Sequence, residues 1–291
     1  MQSRLLTRLA QMIVLLGTTI ARADQQPTTQ PILDPVSGYY TVTLESDFQS
    51  RPTVVQILLP DTLQPEKKYP VLYILPVGGN GKEFGDGLDE AKKAQLANKL
   101  GVICVTPYFA TTPWYGNHAT DPKIRQEDYL IETVVPFIDR TYPTQAHADG
   151  RWLIGFSKSG WGAFTLLMRH RDVFGYAAAW DAPFMIDGKA KNWGPMGLSK
   201  VMGTSEQMQQ FLPTKLAADH AAELKGRTRL VVGVGEFWRP QCIAMHDLLT
   251  SLKVPHTYRP DLVFKHRWDT GWFVPMADEL AKIARAEEQD K

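Results

Sequence analysis

The chain has 291 residues, 44% of them hydrophobic and 22% charged, with 8 Trp, 22 Gly and 20 Pro. That balance excludes intrinsic disorder and collagen-like or low-complexity structure, and the length allows a large core without disulfide staples. Lys plus Arg is 32 against 31 for Asp plus Glu, a net charge of +1. No basic surplus exists to condense on phosphates, so nucleic acid is not an expected partner.

Arg4 and Arg8 precede or open an apolar stretch, Leu9 to Ile20, that ends in Ala21-Arg22-Ala23. These are the charged region, short apolar region and A-x-A cleavage site of a secretory signal peptide, assigned to residues 1–23. About a dozen apolar residues are too few to span a ~30 Å hydrocarbon core, so no membrane anchor is expected in the mature form. Cleavage after Ala23 would remove three arginines and no acid, taking the charge from +1 to −2. The expected destination is secreted or periplasmic. Residues 24–37, polar and Pro-rich, read as a flexible lead-in.

Residues 38–291 then read as one domain. Tyr39–Leu44 and Thr53–Leu59 are β-rich runs around a polar turn, an antiparallel hairpin. Val71–Leu75 is a continuous apolar run, followed by glycines and a helical pattern from Leu88 to Leu100. Strand Gly101–Thr106, a helix around Gln126–Arg140, strand Trp152–Gly155 and a helix from about Ser159 to His170 follow. Tyr176–Trp180 and Arg229–Val234 are further strands. A helix near Pro240–Leu252, a strand near Thr257–Arg259 and a last helix from about Phe273 to Ala286 close the chain. Continuous apolar strands alternating with helices predict a parallel sheet covered on both faces, an α/β fold. The polar stretch 185–226 interrupts the alternation and is expected as an insertion over the end of the sheet where α/β ligand sites lie. Of the two cysteines, Cys104 falls in a strand and Cys242 at the start of a helix; two free buried thiols are expected.

The strongest chemical signal is Trp152-Leu153-Ile154-Gly155-Phe156-Ser157-Lys158-Ser159-Gly160. A strand runs into Gly, then Ser, then small residues opening a helix, close to the G-x-S-x-G nucleophile elbow that exposes a serine hydroxyl on a strained turn. Ser157 is the expected nucleophile. Of seven histidines, His266 alone lies in a loop after the last strand and before the last helix, which makes it the expected base. The acid should end a preceding strand. Glu236, closing Arg229–Gly235, is favoured, with Asp181 after Trp180 as the competitor; Asp247 and Asp261 are placed on a helix and in the His loop. For the oxyanion, the Lys158 N–H and the backbone of Gly78 and Gly79 are the expected donors. Trp114, Tyr115, His118, Trp161, Trp193 and Trp268 are candidates to line a substrate pocket. Asp86, Asp89 and Glu90 lack metal-loop spacing and no zinc pattern exists, so neither metal nor cofactor is expected.

These residues resemble the putative esterase family of α/β-hydrolases, which includes esterase D-like enzymes, feruloyl and acetylxylan esterases, enterochelin esterases and mycolyltransferases. The resemblance rests on Tyr69–Leu75, Val135-Pro136-Phe137-Ile138-Asp139, Gly155-Phe156-Ser157 and His266-Arg267-Trp268, and spans about residues 39–285. It implies an α/β-hydrolase fold and a serine esterase acting on a small-molecule or polysaccharide ester, with acyl transfer or a non-catalytic binding scaffold as alternatives. Two departures touch the oxyanion region. Pro76-Val77 stands where the family has His-Gly, and Ser159 where it has the second Gly of the elbow.

Overall fold

The computed structural model describes residues 30–78 and 84–289. The expected signal peptide and residues 24–29 of the lead-in lie outside the described residues, as does Gly79; the remainder of the expected flexible lead-in instead contributes Ile32–Leu33 to the sheet edge. Nine strands form one sheet in the order β1-β2-β3-β5-β4-β6-β7-β8-β9. The first three, β1 (Ile32–Leu33), β2 (Tyr40–Leu44) and β3 (Thr53–Leu58), pair antiparallel, and β3 pairs antiparallel with β5 (Ile103–Pro107). From β5 onward through β4 (Val71–Ile74), β6 (Arg151–Phe156), β7 (Tyr176–Trp180), β8 (Leu230–Gly233) and β9 (His256–Arg259) every pairing is parallel. This is the mostly parallel α/β sheet that the strand pattern predicts, in the α/β-hydrolase architecture that the family resemblance implies.

The continuous apolar strands alternate between two cores, because successive side chains leave a strand on opposite faces. Tyr73 and Leu75, Leu153, Ala177 and Ala179, and Val232 join one cluster. It is covered by the helical run α3 (Gln126–Asp128), a π-helical stretch Tyr129–Val134 and α4 (Val135–Thr141), together with α5 (Ser157–Arg169) and α11 (Arg239–Ser251). Leu72 and Ile74, Ile154 and Phe156, Ala178 and Trp180 join the other, under α1 (Gly87–Lys93), α2 (Leu96–Leu100) and α12 (Phe273–Gln289). In this second core Trp180 and Trp272 stack with centroids 4.5 Å apart and planes 5° from parallel.

The pattern Leu88–Leu100 predicted a single helix, but Gln95 takes a left-handed φ of 54° and divides it into α1 and α2. Asp86 caps α1 by accepting from the N–H groups of Leu88 and Asp89. Residues 185–226 carry five short helices: α6 (Ala190–Trp193), α7 (Leu198–Met202), α8 (Ser205–Gln209), α9 (Pro213–Asp219) and α10 (Ala221–Leu224). Leu198, Val201, Met202, Met208 and Phe211 from this segment bury themselves against Trp114 and Trp161, so its apolar side is shared with the sheet domain. Cys104 and Cys242 are both free and buried.

Chain order around β4 locates the site. β5 lies on one side of β4 and β6 on the other, so the loops leaving β4 and β6 diverge and leave a crevice at the carboxyl ends of the strands. The loop after β4 begins Pro76-Val77-Gly78, and the residue after β6 is Ser157.

Candidate active site

Ser157 occupies the junction between β6 and α5 with φ of 52°, a conformation that costs a non-glycine residue free energy and survives only where the surroundings impose it. Its neighbours show how. A Cβ on Gly155 would lie 2.5 Å from both the carbonyl carbon and oxygen of Ser159, so the turn closes only over glycine. A Cβ on Gly160 would lie 2.9 Å from the Cβ of Ala182, so α5 sits directly on the end of β7. Ser159, the departure from the elbow pattern, has a structural purpose. Its Oγ donates to the Phe156 carbonyl at 2.8 Å and accepts from the Phe156 N–H at 3.1 Å, tying the helix start to the strand end.

The same local logic recurs one strand over. Asp181 follows β7 with φ of 43°, fully buried, and its carbonyl accepts from the Ser157 N–H at 3.2 Å. Its carboxylate collects three donors. The Trp238 N–H approaches Oδ1 at 2.6 Å, the Phe237 N–H approaches Oδ2 at 3.2 Å, and His266 Nδ1 lies 2.7 Å from Oδ2. A carboxylate only accepts, so in the neutral imidazole the contact selects the tautomer with the proton on Nδ1 and the lone pair on Nε2. The imidazole is further held among rings: Phe156 edge-on at 4.9 Å, Phe237 tilted at 5.1 Å and Trp180 stacked at 6.5 Å. Through Phe156 and Asp181, Ser157 and His266 therefore share the same immediate neighbours at one end of the sheet.

This pairing corrects the expectation for the acid. Glu236 is exposed, its N–H bonds to the Phe264 carbonyl, and Asp181 takes the place beside His266. The physical reason lies in the backbone after β8. A Cβ on Gly235 would lie 2.4 Å from Asp181 Cγ, so the chain passes directly over the Asp181 carboxylate. The segment Gly235–Trp238 supplies two N–H donors to that carboxylate, while the Glu236 side chain faces solvent. A signal was available: Asp181 directly follows β7, the strand adjacent to β6, and the Gly-rich run before Phe237 leaves room for a packed side chain.

The other expected site residues divide. Lys158, half-buried, follows Ser157 in α5 and its Nζ lies 5.9 Å from the centre of the Trp114 ring. Gly78 is half-buried, and among the described residues a Cβ there would meet nothing within 4 Å. Trp114 and Trp161 meet edge-on at 5.6 Å, and Trp114 Nε1 donates to the Met196 carbonyl; both are fully buried. Trp193 is half-buried against the same cluster. Tyr115 is fully buried, with its hydroxyl donating to the Pro76 carbonyl. His118 serves a turn: Nδ1 accepts from the N–H groups of Thr120 and Asp121, and its ring fills the space above Gly203. Trp268 is likewise core, 3% exposed and packed on Phe156, Trp272 and Phe273. Phe237, 63% exposed, stands open beside His266.

A family model described as putative esterase matches residues 46–237, a span that contains both Ser157 and Asp181. The chain belongs to that family. Two Mycobacterium tuberculosis proteins, esterase Rv1288 and esterase MT1326, are each 30% identical to this esterase-family chain over 133 residues, 44% of this chain and 29% of theirs. The aligned stretch thus spans less than a third of those relatives. Among solved structures, a ferulic acid esterase superposes with TM-score 0.66 at 22% identity, covering 85% of this chain and 97% of its own. The Staphylococcus aureus fluorophosphonate-binding serine hydrolase F superposes with TM-score 0.67 at 18% identity, covering 84% and 98%. At these identities the structural likeness speaks to the fold.

Proposed function

We propose that this chain is an exported serine esterase with Ser157 as nucleophile, His266 as base and Asp181 as the acid that orients it. The observation that carries the reading is the 2.7 Å contact between His266 Nδ1 and the buried Asp181 carboxylate, formed beside a serine held at φ of 52° on a strand-to-helix turn. Nε2 of His266 takes the Ser157 proton as Oγ attacks the ester carbonyl, and Asp181 stabilises the resulting imidazolium. The Lys158 N–H, at the start of α5, and the Gly78 backbone receive the developing oxyanion; the N-terminal end of the helix adds to the stabilisation. Collapse of the tetrahedral adduct expels the alcohol with the proton held by His266, and water repeats the sequence to release the acid.

The likeness to a ferulic acid esterase and to serine hydrolases supports a carboxylic ester as substrate, with the exposed Phe237 ring as the surface its apolar part meets. Export is proposed from the charged region, short apolar stretch and A-x-A site within residues 1–23. It predicts that the protein recovered outside the cytoplasm begins at Asp24. The test of the chemistry is nitrophenyl-acetate turnover beside Ser157→Ala, for which a loss on the order of 10⁴-fold or more is expected. Stoichiometric labelling of Ser157 by a fluorophosphonate is expected in parallel. A wild-type protein that neither labels nor hydrolyses any ester leaves only a binding scaffold on this fold.

A further inference from the structure

We propose that Tyr115 and Gln126 form a buried clamp that positions residues 76–78, which follow β4, for oxyanion binding, where the family has its His-Gly pair; the inference rests on the reading of Ser157 given above. The loop starts from the sheet with the Leu75 N–H bonded to the Ile154 carbonyl at 2.9 Å. One residue later the buried Pro76 carbonyl accepts the Tyr115 hydroxyl. A peptide unit is planar and trans, so fixing that carbonyl also fixes the direction of the Val77 N–H. Of the peptide planes leading to Gly78, Ile74–Leu75 is thus pinned by β6 and Pro76–Val77 by a phenol.

Tyr115 is suited to the task because it touches both halves of the site. Its ring lies against α5, where a Cβ on Gly162 would come 2.1 Å from Cδ2, and it meets Phe109 edge-on at 5.3 Å. One rigid side chain thus spans from the helix that begins with Ser157 to the loop that leads to Gly78. Burial pushes the Tyr115 hydroxyl well above its ordinary ionisation range, so it remains a donor wherever the protein is folded.

Tyr115 itself is held at φ of 55°, and Gln126 accounts for that conformation. This fully buried amide uses all four of its hydrogen-bonding positions. Oε1 accepts from the N–H groups of Trp114 and Tyr115, each at 2.8 Å. Nε2 donates to Thr111 Oγ1 at 3.0 Å and to the Thr112 carbonyl at 2.9 Å. The Gln126 N–H adds a bond to the Gly116 carbonyl at 3.1 Å, so residues 111–116 fold around a single side chain.

Tyr115→Phe keeps the ring and removes one donor. The expected result is a kcat lower by roughly 10–100-fold, short of the ~10²–10³ for deleting an oxyanion donor outright, with KM within about twofold. Affinity for an alkyl trifluoromethyl ketone, which forms a tetrahedral adduct on Ser157, should fall by the same factor as kcat/KM. Gln126→Glu keeps the acceptor and loses the two Nε2 donations; the same paired loss is expected, and it decides the matter should Tyr115→Phe not fold. A lower melting temperature with kcat and ketone affinity unchanged overturns the clamp while Ser157→Ala remains inactive. If the wild type itself neither labels with fluorophosphonate nor hydrolyses ester, the reading of Ser157 falls and the clamp with it.

Discussion

Replacing Asp181 by Asn removes a charge and one acceptor from a carboxylate that serves three donors, and the structure indicates which contact yields. If the amide oxygen stays at the Oδ2 position, the new NH₂ faces the Trp238 N–H, breaking the shortest of the three contacts, 2.6 Å. If it turns over, the oxygen keeps Trp238 and the NH₂ donates to His266 Nδ1; the bond lost is the longer one to Phe237, 3.2 Å. The second arrangement is favoured, and it moves the imidazole proton to Nε2, the atom that must accept from Ser157. A triad with the wrong tautomer loses about 10⁴ in kcat, or about 5.4 kcal/mol of transition-state stabilisation. The unpaired Phe237 N–H costs a further ~1–3 kcal/mol of stability. Nitrophenyl-acetate kinetics and a thermal melt on Asp181→Asn and Glu236→Gln form the assay. Glu236→Gln changes an exposed side chain and should stay within about twofold. The argument is refuted if folded Asp181→Asn keeps activity within tenfold of wild type, or if Glu236→Gln is the more damaging change.

Gly155→Ala drives a Cβ into the Ser159 backbone, which has no flexible side chain to yield, and should cost about 3 kcal/mol or more, seen as a lower urea midpoint. Phe237→Ala, on a mostly exposed ring, should shift stability by less than about 0.5 kcal/mol while lowering kcat/KM several-fold for bulky or aromatic esters relative to acetate, measured by pairwise competition. Glu127 is buried between Arg169 and His170; burial raises its carboxyl, but the His170 and Arg169 bonds outweigh it and the net shift is downward. With the folded pKa below the unfolded one, this stabilisation is present above the unfolded carboxyl range and is lost as pH falls through the folded value. Melting temperature followed from neutral to acid should therefore drop more steeply in the wild type than in Glu127→Gln.

What the sequence conveyed well was what depends on local pattern. Val71–Leu75 and Trp152–Phe156 are apolar on both sides because both faces of the sheet are covered, and Gly155-Phe156-Ser157 carries its own geometric reason. Asp181 and Glu236 each end a strand of the right kind. Choosing between them required knowing that the chain after β8 doubles over Asp181 and turns Glu236 outward, a long-range fact with no periodicity. Gln126 escaped notice for a similar reason: a buried amide bonding backbone 11–14 residues upstream, and the Thr111 hydroxyl, reads in sequence as the polar start of a helix. Trp268 and His118 sit near the right loops, but their rings fill packing space against Gly87 and Gly203, a role that only the neighbours disclose.

The stacked indoles of Trp180 and Trp272 give the molecule an optical handle on its own histidine. Two nearly parallel rings 4.5 Å apart are coupled chromophores, and their paired circular-dichroism bands vanish once the spacing is lost, whatever becomes of the helices. Trp180 also stacks over His266 with ring centres 6.5 Å apart, so the change in these bands between the resting protein and His266→Gln reports on the packing around that ring, without substrate and without turnover.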